Sequence, residues 1–124
     1  MPQTQTAFTE YKRTAPRKRA DLPPCPVETC VQLIGSKWRL LILRDLTENG
    51  VMRFGELQRN IGRISQKVLT SNLRDMEAAG LVVRRVYPEV PPRVEYSLTE
   101  TGRSLQPVID AMWAWGEGYQ AQAI

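Results

Sequence analysis

The stretch from Ile64 to Leu81, ISQKVLTSNLRDMEAAGL, constrains this chain more than any other, because both ends of a helix are written into it. Ser65 is a good N-cap, since its hydroxyl can accept a hydrogen bond from a free amide in the first turn. Val68, Leu69, Leu73 and Met76 recur at three- and four-residue spacing and predict one apolar stripe. Gly80 suits the position just past the helix, where glycine enters the left-handed region without steric cost. Strand-forming residues follow at once, from Leu81 to Tyr87. The opposite face carries Gln66, Lys67, Thr70, Ser71 and Arg74, side chains suited to phosphates and base edges and concentrated toward the N-terminal half. A solvated amphipathic helix would look the same in isolation, so its neighbours decide how it is read.

The chain before this helix predicts three more. Pro26 fits a first helical position, where its missing amide costs nothing, which places Cys25 at the N-cap. Val27, Val31 and Ile34, with Cys30 beside them, form an apolar face that Gly35 terminates. Lys37 to Thr47 follows, with Trp38, Leu41, Ile42 and Leu46 as its expected buried stripe, and Asn49-Gly50 marks a turn. A short extended piece, Val51-Met52-Arg53, leads into a helix with Phe54, Leu57 and Ile61 inward. Gly62-Arg63 then turns the chain into the Ser65 helix. Two short helices joined by a few residues, the second polar and basic outward, is a helix-turn-helix layout.

After Gly80 the pattern becomes a hairpin. Leu81–Tyr87 and Arg93–Leu98 are the strands, and Pro88-Glu89-Val90-Pro91-Pro92 is a loop whose prolines cannot donate to a ladder. A hairpin directly behind such a helix is a wing. Arg84, Arg85 and Arg93 lie on it, placed for phosphate or minor-groove contact; a charged, solvated hairpin edge is the plainer reading of them. Thr99-Glu100-Thr101-Gly102 opens the last helix, and Pro107, inside it, is expected to bend it. Leu105, Val108, Ile109, Met112, Trp113, Trp115 and Tyr119 make that helix wide in apolar residues. One face folds inward, and the aromatic end, with Val108, Met112, Trp113, Trp115 and Tyr119, is expected to meet a second subunit.

Charge and composition narrow the function. The net charge is +4, and it is unevenly spread. Arg53, Arg59, Arg63, Lys67 and Arg74 stand against Glu56 alone up to Asp75, a distribution that suits a surface meeting phosphates. The chain has no histidine and two cysteines. Histidine-based triads, dyads and metal sites are therefore impossible, as is a four-thiolate zinc site within one chain. No enzyme, metal or cofactor is expected. No apolar run approaches the ~18 residues of a membrane span, and no secretory signal is visible, so a cytoplasmic location is expected. Residues 1–24 are polar, basic and proline-punctuated and read as a flexible arm whose Arg17-Lys18-Arg19 cluster could touch DNA backbone. Residues 25–124 read as one domain, mostly α with a small β-hairpin wing.

The chain resembles the HxlR-type transcription regulators, a MarR-like winged-helix family. The matching blocks are Cys25-Pro26, Ile34 to Trp38, Arg53 to Leu57, Ile64 to Thr70, Leu73-Arg74 to Gly80-Leu81, Tyr87 to Tyr96, and Leu98-Thr99 to Gly102. They run in order over nearly everything beyond the arm. Cys30 departs from the family, where an aliphatic residue or alanine is more usual, and the arm is longer than is common there.

The resemblance implies a winged helix-turn-helix homodimer on double-stranded operator DNA with an inverted repeat, its recognition helices about 34 Å apart. On that footing Gln66, Lys67, Thr70, Ser71 and Arg74 face base edges or flanking phosphates. Ser65 and Arg53 meet the backbone, and Arg84, Arg85 and Arg93 hold the wing. The resemblance also implies that a cysteine at the Cys25 position senses oxidants, quinones or aldehydes. The residues supply a mechanism, because a helix N-terminus stabilises a thiolate. Cys30 reads as a small packed residue. Five residues of helix rise about 7.5 Å, too far for a Cys25–Cys30 bridge within one intact helix, whereas a bridge between subunits remains open. Two rival readings stand beside this one: a regulator gated by a small apolar effector between Trp38, Trp113 and Trp115, and a winged helix used for protein contact.

Overall fold

A computed structural model of the chain describes Thr9–Glu10 and residues 21–124. The described elements are β1 (Thr9–Glu10), α1 (Pro26–Ile34), α2 (Lys37–Asn49), β2 (Val51–Arg53), α3 (Phe54–Ile61), α4 (Gln66–Ala78), β3 (Val82–Tyr87), β4 (Arg93–Leu98), α5 (Glu100–Arg103) and α6 (Gln106–Gln122). The fold is a winged helix-turn-helix, mostly helical with a small antiparallel sheet. Most of the expected basic arm, including Arg17-Lys18-Arg19, lies outside the described residues.

The sheet runs in the order β1-β3-β4-β2, all antiparallel. β3 and β4 form the hairpin, with Val82 opposite Leu98, Arg84 opposite Tyr96 and Tyr87 opposite Arg93. β2 pairs along the other side of β4, which holds the start of α3 against the sheet. Leu57, Leu69, Met76, Leu81 and Val82 are fully buried, with Ile42, Leu43 and Leu46 of α2 packed among them. Burying a side chain of this size contributes about 1.5–3 kcal/mol, so the apolar stripe of α4 is held firmly to α2.

Local chemistry sets the element ends. Pro26 occupies the first turn of α1, and Gly35 closes it at φ +48°. Gly80, at φ +78°, follows α4. Its amide donates to Glu77 O and the Leu81 amide to Met76 O, a Schellman closure that reverses the chain directly into β3. Thr99 locks this corner to the start of α5. Its amide donates to Leu81 O, its hydroxyl donates to Gly80 O at 2.6 Å, and the hydroxyl accepts from the Gly102 amide at 3.0 Å.

Three expectations are corrected. In α2 the inward residue beside Ile42 and Leu46 is Leu43; Leu41 is half-buried. α2 is flanked by α3, α4, α6 and two strands, so its buried arc is wide and also takes in Asp45, paired to Arg44 at 2.8 Å. The last helix is two helices, and Pro107 lies in the first turn of α6 rather than bending it midway. Proline has no amide to give an internal turn, so the chain breaks at Ser104–Leu105 and starts again. Val27 and Val31, expected on a buried face of α1, are 68% and 62% exposed. Only Ile34 of that face is buried, because α1 touches the core with its C-terminal end.

A β-carbon on Gly102 would overlap the Leu81 carbonyl oxygen. Gly102→Ala is therefore expected to cost about 1–3 kcal/mol, read from denaturant unfolding, by forcing α5 off the α4–β3 corner.

Candidate nucleic-acid interface

The turn between α3 and α4 aims one helix outward. Gly62, at φ +92°, ends α3 with its amide on Gln58 O. Ile64 is buried, and its carbonyl accepts from Gln58 Nε2 at 3.3 Å, which fixes the path of the turn. Ser65 then caps α4, its Oγ accepting from the Val68 amide at 3.1 Å. With Leu69, Leu73 and Met76 inward, the other side of the helix has to face solvent.

That side gathers the expected readers. Gln66, Lys67, Thr70, Ser71 and Arg74 line one shallow surface, joined at its edge by Asp75. A second groove lies between α4 and the hairpin. It is floored by Phe54, Leu73 and Tyr96 and walled by Gln66, Thr70, Arg74, Glu77 and Arg84. The polar face of α4 and the near side of the wing therefore form one continuous surface, with Arg84 beside Arg74. Arg53 is exposed at the N-cap of α3, next to Phe54, and its amide donates to Glu56 Oε1 at 2.8 Å.

The structure separates the three wing arginines. Arg85 points to the opposite side of the sheet, its Nη1 donating to Ser97 Oγ at 2.9 Å, and lines a different groove with Val51, Glu100 and Arg103. Arg93 is on that side too. It pairs with Glu89 at 3.0 Å and Glu95 at 3.4 Å and lies over the Tyr87 ring at 3.8 Å. It braces the base of the proline loop whatever else it touches.

The remaining candidates lie elsewhere. Cys25 is exposed; its carbonyl accepts from the Thr29 amide, and its side chain makes no cap hydrogen bond. Cys30 packs against the core, and both thiols are free. On α6, Val108 is half-buried, while Met112, Trp113, Trp115 and Tyr119 are exposed, Trp115 stacked on Tyr119 at 5.2 Å. Pro107, Val108, Ala111, Met112 and Trp115 line a shallow apolar trough. Trp38 and Trp113 are not part of its lining; Trp38 sits at the core's edge under Lys37 Nζ, 4.5 Å above its ring. Among the described residues no cluster of three acidic or thiol groups could hold a metal ion, and no helix is long and apolar enough to cross a membrane.

Sequence reasoning missed the groups that hold α4 from behind. Ser36 Oγ lies 3.4 Å from Asn72 Oδ1, and Arg39 reaches Asp75. Ser36 caps α2, its Oγ accepting from the Arg39 amide at 3.2 Å. Nothing local marks its partner 36 residues away.

The profile of the HxlR-like helix-turn-helix family matches residues 33–123. An uncharacterised HTH-type transcriptional regulator of Methanothermobacter thermautotrophicus is 52% identical over 95 residues, 77% of this chain and 72% of that protein. The redox regulator HypR in its oxidised form matches with a TM-score of 0.71 at 47% identity, covering 76% of this chain and 96% of that one. Diamide-treated YodB of B. subtilis matches with a TM-score of 0.64 at 38% identity, covering 77% and 94%.

Ser65→Ala is expected to lower stability by about 1 kcal/mol, measured by denaturant unfolding, since it removes the acceptor for the first turn of α4.

Proposed function

The chain belongs to the HxlR-like helix-turn-helix family of transcriptional regulators, and from that premise we propose that it binds an inverted-repeat operator as a homodimer and is switched at the Cys25 thiol. The observation that carries the DNA-binding part is the single surface formed by Gln66, Lys67, Thr70, Ser71 and Arg74 with Arg84 alongside. Gln66 and Arg74 have the donor and acceptor geometry for adenine and guanine edges in the major groove. Lys67, Ser65 and Arg53 meet flanking phosphates. The wing is held on the backbone by Arg84 from the α4 side and by Arg85 and Arg93 from the other.

The exposed apolar residues support a second copy of the chain as partner. Met112, Trp113, Trp115 and Tyr119 on α6 and Val27 and Val31 on α1 are large side chains left in solvent. The lining of the trough on α6 is almost wholly apolar and open to solvent, so a partner helix suits it better than a small effector, which needs convergent polar groups to orient it. A symmetric pair then presents two α4 helices about one DNA turn apart.

The thiol reading rests on the exposure of Cys25 at the first turn of α1 and on likeness to HypR, a redox regulator solved in oxidised and reduced forms. With hypochlorite, the sulfur takes up oxygen to give a sulfenic acid and chloride leaves. Condensation with a thiol of the second subunit forms S–S and releases water. With a quinone, sulfur adds to the ring and the proton ends on the product.

Binding to the duplex upstream of the chain's own gene tests the whole reading. Arg74→Ala or Lys67→Ala is expected to weaken it by about 1–3 kcal/mol with the fold intact; wild-type affinity would remove that residue from the interface. Hypochlorite or a quinone is expected to change the affinity of wild-type protein and leave Cys25→Ser unaffected. If both respond alike, the thiol is structural.

A further inference from the structure

Arg39 of α2 touches two other helices at once. Its Nη1 donates to the carbonyls of Gln32 and Leu33, at 3.2 and 3.1 Å, on the C-terminal turn of α1. Its Nη2 reaches Oδ2 of Asp75, on α4, at 3.4 Å. The last turn of α1 has no basic residue of its own, so a cation from the next helix meets its partial negative charge. Gly35, at φ +48°, ends α1 beside it. A second link runs alongside, from Ser36 Oγ to Asn72 Oδ1, with Asn72 Nδ2 donating to Val68 O at 2.8 Å. The N-terminus of α2 is thereby bonded to the end of α1 on one side and to α4 on the other.

Asp75 is an odd residue for a surface that meets phosphates. It shares the groove of Gln66, Lys67, Thr70, Ser71 and Arg74, and its side chain is 58% exposed. A bare carboxylate there would repel DNA. Paired with Arg39 it is offset, and it gives α4 a fixed handle. As a contribution to stability the pair is minor, because it is long and half-solvated. Its value is directional: a planar guanidinium donates along fixed vectors, so acceptors on two helices are held in one relation.

We propose that Arg39 is a positioning residue for DNA recognition, tying the end of α1 to α4 so that a displacement of α1 is passed to the reading face. α1 begins at Cys25 and exposes Val27 and Val31, so whatever engages that helix acts on Gln66 and Arg74 through this guanidinium. The effect on DNA rests on the function proposed above, whereas the tie between the helices is testable without DNA.

Asp75→Asn and Arg39→Gln test it. In hydrogen exchange on the free protein, Asp75→Asn, a change on α4, is expected to speed exchange in the last turn of α1; a change confined to α4 would overturn the tie. Affinities are then measured over a salt series for the upstream duplex and for a random duplex of equal length. Each variant is expected to lose about three- to tenfold in the ratio of upstream to random affinity, and in the double variant, which leaves neither charge bare, the random duplex and the salt slope are expected to be unchanged. The double variant should be no weaker than the weaker single one. Tighter binding of both duplexes by Asp75→Asn would make that residue a bare repulsive charge. A slope lower by about 0.9 in Arg39→Gln would make Arg39 a phosphate contact. Either result overturns the proposal. Wild-type protein that binds both duplexes equally contradicts the function proposed above, and the exchange result then decides the tie alone.

Discussion

The molecule turns on the corner where α4 becomes β3. The helix that presents the polar face and the hairpin that flanks it are separated only by Ala79, Gly80 and Leu81, so their relative direction is fixed within three residues. Gly80 supplies the left-handed backbone, and the Leu81 and Gly80 amides close the helix onto Met76 and Glu77 carbonyls. Thr99 and Gly102 then grip the same corner from the far end of the wing. Wing and α4 are held in one relation because the link between them is short and hydrogen-bonded and both ends of the hairpin meet at one point. This is why Arg84 of the wing and Arg74 of α4 line one groove.

The terminal helices follow the opposite rule. α6 contains no buried residue, although Leu105, Val108 and Ile109 around its start pack on the core's edge. Beyond them the helix runs into solvent with two tryptophans and a tyrosine exposed. Among the described residues the apolar anchor of α1 is likewise small, Ile34 with the half-buried Cys30 and Leu33. A single domain leaves this much apolar surface uncovered at a free-energy disadvantage, which association relieves. The compact centre thus sets the shape of the polar face of α4, while the ends leave large apolar side chains in solvent.

Much of the fold was legible because its signals are local. Ser65 and Thr99 each cap a helix with an oxygen three residues from its donor, and Gly35 and Gly80 end helices by their own backbone freedom. The sides of the wing were not legible. Val82 and Val83 are both buried, so the alternation that would separate Arg84 from Arg85 is absent where the hairpin begins. The role of Pro107 was misjudged because apolar spacing continues across Ser104–Leu105, where the backbone does not.

The sequence by itself determined the succession of helices and strands, the polar face of α4 and the basic character of its surroundings, since each depends on residues within one turn or one hairpin. Tertiary structure alone decided which wing arginine joins that face, that Arg93 is engaged by Glu89, Glu95 and Tyr87, and that Arg39 binds α1 and α4 together. It also decided which apolar residues stay in solvent. These are matters of which surfaces meet after the chain has closed on its core, and partners 36 residues apart leave no periodic trace along the chain.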